Sequence, residues 1–228
     1  MRSVLALPFA IYGRSVLGTP LRYIPCAGKC RLLVVAGIHG EEPETTFLLS
    51  RTLRTFDNPF KSIAFVLCAN PDGMTLGTRG NANGVDLNRN FPTENWSRDP
   101  VYCRSILEAN RDTELLTGNV AGSEPETLAL VSLIQELSPK SILSMHAPMG
   151  CIDAPQRSEL VDALCDTMGF PWRPDIGYPT PGSLGTWCKE QKSPECVTLE
   201  LPRISLEALY ERYGSNFAAL LQKVDSIF

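Results

Sequence analysis

The chain has 228 residues, 43% of them hydrophobic, which is enough apolar material for one large domain, residues 1–228, with a sizeable core. Acidic residues outnumber basic ones by 25 to 21, and the net charge of −4 argues against nucleic acid or an anionic membrane surface as a partner. No apolar run in the sequence reaches the length of a membrane span.

The N-terminus begins with Met1 and Arg2 and an apolar stretch, which could pass for a short signal peptide. It contains Pro8, lacks a small-residue cleavage site and continues into residues 12–21, YGRSVLGTPL, which favour strand and turn. We therefore expect this segment to be part of the fold and the protein to be cytoplasmic. The eight cysteines could form disulfides, but in a long chain without a convincing export signal we expect reduced thiols.

The first strong pattern is a short apolar, β-branched run at 32–38, which predicts a buried strand, followed by helical spacing over about 42–54. His39 and Glu42 lie at the junction of the two elements. An imidazole and a carboxylate three residues apart at a turn can share one metal ion, and zinc accepts both ligand types. The alternative is a plain helix N-terminus, where the dipole favours acidic side chains.

A second buried strand is predicted over 62–69, and a long polar stretch, 70–95, follows it. That stretch contains NPDG, TRG and DLNRNF, and loops of such length in compact domains are usually functional or disordered. Ser123 and Glu126 then have the spacing of a capping box, which predicts that a helix begins there.

The C-terminal half alternates in the same way. We predict an α/β fold with a mixed, mostly parallel twisted sheet and helices on both faces. Ligands bind beyond the carboxyl ends of strands in such sheets, and His39, Asn70, His146 and the residues after Glu200 all lie at or near such ends. The predicted elements are a strand 141–145 that ends at His146, a helix 157–168, a surface loop 171–185, a strand 196–201 and a helix 205–223.

Taken together, these motifs resemble the zinc carboxypeptidase superfamily, in an order that spans residues 31–202. The fold implied is zinc carboxypeptidase-like. The matching features are HGEE at 39–42, NPDG at 70–73, Thr78-Arg79, Asn88-Arg89 within DLNRNF, SEPET at 123–127, the lone His146 after a strand, Tyr178 nine residues before Trp187, and Glu200 in TLEL.

The resemblance implies one Zn²⁺ per chain, held by His39, Glu42 and His146, with Glu200 as the general base. Zinc would activate a water molecule and polarise the scissile carbonyl. Without the resemblance, His146 could be a buried core histidine, and Glu200 could be an outward-facing strand residue that shares a face with Thr198.

Substrate contacts follow from the same resemblance. Arg79 would stabilise the oxyanion, Asn88 and Arg89 would hold a free carboxylate, and Tyr178 would close over the substrate. The alternatives are a self-stabilised turn for DLNRNF and simple packing of Tyr178 against Trp187.

Within the superfamily, YGRSVLGTPL, HAPMGCID and the compact length resemble the bacterial murein peptide amidases. These enzymes cleave the bond between the γ-carboxyl of D-glutamate and meso-diaminopimelate, so a small murein peptide is the implied substrate. Gly185, two residues before Trp187, is small and uncharged, so it supplies neither an apolar wall for an aromatic side chain nor an acid for a lysine-like one. Asp153 is the candidate for binding the distal amine, although it could also be an ordinary surface acid.

Two other functions stay open on sequence grounds. Deacylases of the succinylglutamate desuccinylase and aspartoacylase type share HGxE, a second histidine and a DLNR-F segment. NPDG, SEPET and the spacing of Tyr178 and Trp187 argue against that group. A non-catalytic binding module on a decayed peptidase fold is the second alternative, and it conflicts with the complete set of ligands and Glu200.

Overall fold

A computed structural model describes residues 4–105 and 111–227 of the chain. The strands are β1 (Ala10–Arg14), β2 (Pro20–Tyr23), β3 (Leu32–Val35), β4 (Ile63–Val66), β5 (Val101–Ser105), β6 (Arg111–Leu115), β7 (Ser141–His146), β8 (Met149–Asp153), β9 (Trp172–Arg173) and β10 (Glu195–Pro202). The α-helices are α1 (Pro43–Leu53), α2 (Pro71–Leu76), α3 (Pro125–Leu137), α4 (Glu159–Met168), α5 (Leu184–Gln191) and α6 (Leu206–Ile227), with a 3₁₀ turn at Leu87–Arg89.

The central sheet has six strands in the order β4-β3-β7-β10-β8-β9. Strands β4, β3, β7 and β10 run parallel, β8 is antiparallel to β10, and β9 is parallel to β8. The predicted mixed, mostly parallel sheet is therefore confirmed. Strand β8 is antiparallel because it returns from β7 after only two residues, which is too short a connection for a parallel crossover.

Helices cover both faces of this sheet, as predicted. Alternate residues of β3 separate the two faces, because Leu32 and Val34 pack with α1, α4 and α6, whereas Leu33 and Val35 pack with α3 and α5. In β7 and β10 the residues at Leu143 and Leu199 belong to the first face. Since strand side chains alternate, Ser144, His146, Thr198 and Glu200 lie on the face that α5 covers.

Two helices were not predicted. Helix α2 lies inside the predicted loop 70–95, where the Asn70 side chain accepts a hydrogen bond from Gly73 N at 2.9 Å and Gly77, at φ 68°, ends the helix. Asn before Pro is a sound helix start, but NPDG is equally typical of a turn. Helix α5 begins within the predicted loop 171–185, where Ser183 Oγ accepts from Thr186 N at 3.1 Å.

The predicted capping box at the start of α3 is wrong. The N-cap is Glu124, and its side chain makes no cap hydrogen bond. Ser123 Oγ donates to Glu124 Oε1 at 2.7 Å, and Glu126 Oε1 accepts from Val16 N at 3.0 Å. Glu126 therefore links α3 to the segment between β1 and β2, and neither Ser123 nor Glu126 caps the backbone at the start of the helix.

No helix within the described ranges is both long enough and apolar enough to cross a membrane. All eight cysteines fall inside those ranges and carry free thiols.

Candidate metal centre and active-site cavity

His39, Glu42 and His146 converge on one buried point at the carboxyl ends of β3 and β7. His39 Nδ1 lies 2.8 Å from Glu42 Oε1, and His146 Nδ1 lies 3.1 Å from Glu42 Oε2. The two Nδ1 atoms are themselves 3.1 Å apart. The structure thus brings together the three residues that the sequence proposed as ligands.

Local backbone geometry places His39 and Glu42. After β3, Gly37 adopts a positive φ of 64° and turns the chain toward α1. Gly40 then lies against the backbone of Gly73, where a Cβ atom would come within 2.0 Å of a carbonyl carbon. Only glycine fits at position 40, so the HGEE turn can pack closely on the NPDG segment. This packing fixes the turn that carries His39 and Glu42. His146 needs no such turn, because it is the last residue of β7.

The far side of each imidazole has its own partner. His39 Nε2 donates to Asp86 Oδ1 at 3.1 Å, and His146 Nε2 is hydrogen-bonded to Ser144 Oγ at 3.0 Å. An ionised carboxylate can only accept, so the His39 proton belongs on Nε2, which leaves a lone pair on Nδ1 when the ring is neutral. Such outer partners orient histidine ligands in metal sites.

Asp86 and Ser144 escaped the sequence reasoning. Asp86 opens DLNRNF and is almost fully buried. Because this motif is also typical of a self-stabilised turn, the sequence did not point to His39 as the partner of Asp86. Ser144 was detectable in principle, because it lies two residues before His146 in the same strand and must share its face.

The charges at this point favour a cation. Burial by itself would raise the pKa of Glu42, but His39 and His146 outweigh burial and hold that pKa well below its ordinary value. Burial likewise raises the pKa of Asp86, and the Arg79 guanidinium reverses that effect. Both carboxylates are therefore ionised at neutral pH.

The cluster satisfies the requirements of a zinc site. Two imidazole lone pairs and an anionic carboxylate within 3.1 Å repel one another unless a cation or a proton lies between them. Two histidines and one glutamate are a known catalytic zinc donor set, and three protein ligands leave a position free for water. The three ligand atoms all lie within 4.8 Å of one another, so a single ion can contact all of them.

Glu200 lies on β10, next to the cluster. Its Cα is in register with that of His146 on β7, and its Oε2 accepts from Met149 N at 3.4 Å. The side chain is buried, so the outward-facing alternative is wrong. Burial raises the pKa of Glu200, as expected for a carboxyl group that can carry a proton during a reaction.

Arg79 forms ion pairs with three carboxylates at this cluster. Its Nε donates to Asp86 Oδ2 at 3.0 Å, and its NH1 donates to Glu42 Oε1 at 3.2 Å and to Glu41 Oε1 at 3.3 Å. Burial would lower the pKa of Arg79, but Asp86 and Glu42 reverse that effect and raise it. The guanidinium is therefore a fixed positive charge beside the ligand cluster.

A cavity of about 640 Å³ opens onto these groups, and every predicted site residue lines it. Asn88 Oδ1 accepts from Leu184 N at 2.9 Å, which fixes the amide against α5. Arg89 NH1 donates to the Asn88 carbonyl at 2.7 Å. The predicted residues on the cavity wall are His39, Glu42, Arg79, Asn88, Arg89, His146, Asp153, Tyr178 and Glu200.

Tyr178 and Asp153 occupy different parts of this wall. Tyr178 is half exposed, and burial and the Glu200 carboxylate raise its pKa. Trp187 packs instead in the core with Phe91, at a ring separation of 6.4 Å. Asp153 is the last residue of β8 and is partly buried, so it does not lie in an exposed surface loop.

Comparison with known proteins places this geometry in context. The zinc carboxypeptidase family model matches residues 11–158. Murein peptide amidase A of Escherichia coli (strain K12) is 44% identical over 214 residues, which cover 92% of this chain and 88% of that protein. The enzyme of the same name from Vibrio campbellii is also 44% identical, over 92% of this chain and 86% of its own length.

Solved structures agree with the sequence comparison. The murein-tripeptide amidase of Escherichia coli O157 superposes with a TM-score of 0.88 at 42% identity, over 95% of this chain and 93% of the other. The carboxypeptidase A of Helicoverpa armigera superposes with a TM-score of 0.70 at 18% identity, over 97% of this chain and 68% of its own, and shows the shared fold alone. These superpositions confirm the predicted zinc carboxypeptidase-like α/β fold.

Proposed function

The chain belongs to the zinc carboxypeptidase family and is a metallohydrolase, and we propose that it cleaves murein tripeptide in cell-wall peptide recycling. The bond to be cleaved joins the γ-carboxyl of D-glutamate to meso-diaminopimelate. The observation that carries this proposal is the 44% identity to murein peptide amidase A over 92% of the chain. We further propose that residues 1–228 act as one catalytic domain in the cytoplasm.

One zinc ion per chain is proposed at His39, Glu42 and His146. When bound, zinc would lower the pKa of a water molecule toward neutrality and polarise the scissile carbonyl. Asp86 and Ser144 hold the two imidazoles by their outer nitrogens, so both rings present Nδ1 without reorganisation.

Glu200 is proposed as the general base and then the general acid. Its carboxylate accepts a proton from the attacking water and later gives that proton to the leaving amine of diaminopimelate. Burial raises the pKa of Glu200. A pKa nearer to the pH of the reaction favours this double role, because the group can then both accept and release a proton.

Arg79 and the 3₁₀ turn position the substrate. Arg79 would stabilise the negative charge that develops on the carbonyl oxygen during attack. Asn88 and Arg89 would bind the α-carboxylate of the leaving residue, with Arg89 supplying a planar set of donors. Tyr178 would cover the bound peptide from the segment before α5.

The direct test is incubation of purified protein with L-Ala-γ-D-Glu-meso-diaminopimelate, with products identified by mass spectrometry. We expect free diaminopimelate and the dipeptide L-Ala-D-Glu. Peptides with ordinary α-linkages that end in Phe or Lys are expected to be poor substrates by kcat/KM. Cleavage of Phe-ended peptides at an equal rate would contradict the murein assignment, and cleavage of N-acyl amino acids instead would favour a deacylase.

The carboxylate-binding role of Arg89 predicts a second result. We expect Arg89→Ala to lower kcat/KM for the tripeptide by about tenfold to a hundredfold, because a charge-assisted hydrogen bond to substrate is lost. Arg98→Ala, a change in an exposed arginine outside the cavity, is the matched control and should not alter kcat/KM. An unaffected Arg89→Ala enzyme would mean that other residues bind the carboxylate.

A further inference from the structure

The cavity continues beyond the metal cluster, between β10 and α5. Glu200, Thr198 and Cys196 alternate along one face of β10, and all three line the cavity. A strand rises about 3.3 Å per residue, so the level of Thr198 lies roughly 7 Å from that of Glu200. The cavity thus has room for a long side chain on the leaving residue.

One wall of this extension is acidic. Asp153 is paired with Thr198 across β8 and β10, so it lies at the same depth. Asp175 lines the same cavity, and burial together with the Asp175 carboxylate raises the pKa of Asp153. No described residue donates a hydrogen bond to the Asp153 side chain, and Asp175 Oδ1 accepts only from its neighbour Gly177 N, at 2.6 Å.

The opposite wall is basic. Gly185, Cys188, Lys189 and Lys192 lie at helical spacing along one side of α5 and all line the cavity. Neither lysine forms an ion pair with another residue in the described part of the chain. Lys192 ends the helix at φ 60°, a conformation uncommon for residues with a Cβ, and the chain then returns along the cavity.

A third acid of the cavity, Glu195 at the start of β10, is hydrogen-bonded to another side chain. Glu195 lines the cavity, and its Oε2 accepts from Ser141 Oγ at 3.1 Å. The two aspartates and the two lysines also make no ion pair with one another within 4.0 Å. The cavity therefore presents unpaired negative charge on one side and unpaired positive charge on the other.

We propose that these two walls bind the distal amino-acid group of the leaving residue, with Asp153 and Asp175 on its ammonium and Lys189 and Lys192 on its carboxylate. This inference rests on the proposed function, because diaminopimelate carries that zwitterion at the far end of its side chain. The distal carbon lies four bonds from the α-carbon, a reach of roughly 5 Å, and its ammonium nitrogen lies one bond further, toward the level of Asp153 and Thr198. Asp175, Lys189 and Lys192 are exposed and stay hydrated, whereas an apolar residue would leave the partly buried Asp153 without a charged partner.

Three peptides separate the two charges: the diaminopimelate tripeptide, its L-lysine analogue without the distal carboxylate, and its 2-aminopimelate analogue without the distal amine. We expect Lys189→Gln/Lys192→Gln to lower kcat/KM for the diaminopimelate tripeptide by at least about tenfold and to leave the lysine analogue unchanged. Asp153→Asn should lower kcat/KM for the first two peptides and spare the aminopimelate analogue.

The matched controls are Lys29→Gln/Lys223→Gln and Asp166→Asn, which make the same charge changes at exposed positions outside the cavity. They should leave kcat/KM for all three peptides unchanged, and thermal melting should show that every variant folds. Suppose that the wild-type protein cleaves the tripeptide but the variants affect all three peptides equally, or affect none of them. That result would overturn this inference and leave the proposed function standing. A wild-type protein that cleaves none of the three would overturn the proposed function as well.

Discussion

Replacement of Glu200 by Gln is expected to lower kcat by at least about a hundredfold, and by up to about ten-thousandfold, which is the usual range for general acid–base catalysis. The amide keeps the size of the side chain and can still contact Met149 N, so the fold should be unchanged. It cannot accept the proton of the attacking water. Because that proton moves only in the transition state, kcat and kcat/KM should fall together while KM stays nearly constant.

Steady-state kinetics on the tripeptide, together with zinc analysis of the same samples, would check this result. The matched control is Glu207→Gln, an exposed acid at the start of α6, which should retain full turnover. Near-normal turnover in Glu200→Gln with full zinc content would mean that the base lies elsewhere. Loss of zinc together with activity would indicate that Glu200 supports the metal site instead.

The buried parallel strands were predictable because their signal is local. Each is a short apolar run, and a strand with helices on both sides must be apolar on both faces. The carboxyl ends of β3 and β7 then meet at one edge of the sheet, so two histidines at those ends could be paired from sequence. The convergence of His39 and His146 follows from strand direction alone, without knowledge of any contact.

Strands β8 and β9 and helices α2 and α5 could not be predicted, since tertiary contacts decide their structure. Strand β8 pairs with β10, some fifty residues away, and β9 has two residues only. The first half of helix α5 contains Gly185, Thr186, Trp187 and Cys188, which have low helix propensity, so its own tendency to form a helix is weak. Its Leu184, Trp187 and Cys188 are buried against the sheet, and this tertiary packing stabilises the helix despite its weak propensity.

The outer partners of the histidines show a different limit. Asp86 lies 47 residues from His39, and an acid that opens a polar turn has an adequate local explanation. Asp86 Oδ1 does stabilise this turn, since it accepts from Asn88 N at 2.9 Å, and it also lies 3.1 Å from His39 Nε2, a contact that only the structure reveals. The sequence therefore identifies candidate ligands more readily than the residues that orient them.

Removal of either imidazole is expected to abolish zinc binding. Wild-type protein should contain one zinc per chain by elemental analysis, and His39→Ala and His146→Ala should contain almost none, since two protein ligands hold zinc poorly. Asp86→Asn and Ser144→Ala keep all three ligands and alter the outer partners, so they should weaken zinc affinity by about tenfold to a hundredfold without abolishing it. This graded series would separate ligands from the residues that orient them.

Thermal melting gives a readout of zinc binding that is independent of activity. An ion that binds only the folded state, at a free concentration 100 times its Kd, stabilises that state by about 2.7 kcal/mol. For a chain of this size that corresponds to a rise in Tm of roughly 5 to 10 °C. A chelator should therefore lower the Tm of the wild-type protein by about that amount and leave His146→Ala unchanged. Full zinc content in both histidine variants, or an equal chelator effect on them, would place the metal outside the cluster of His39, Glu42 and His146.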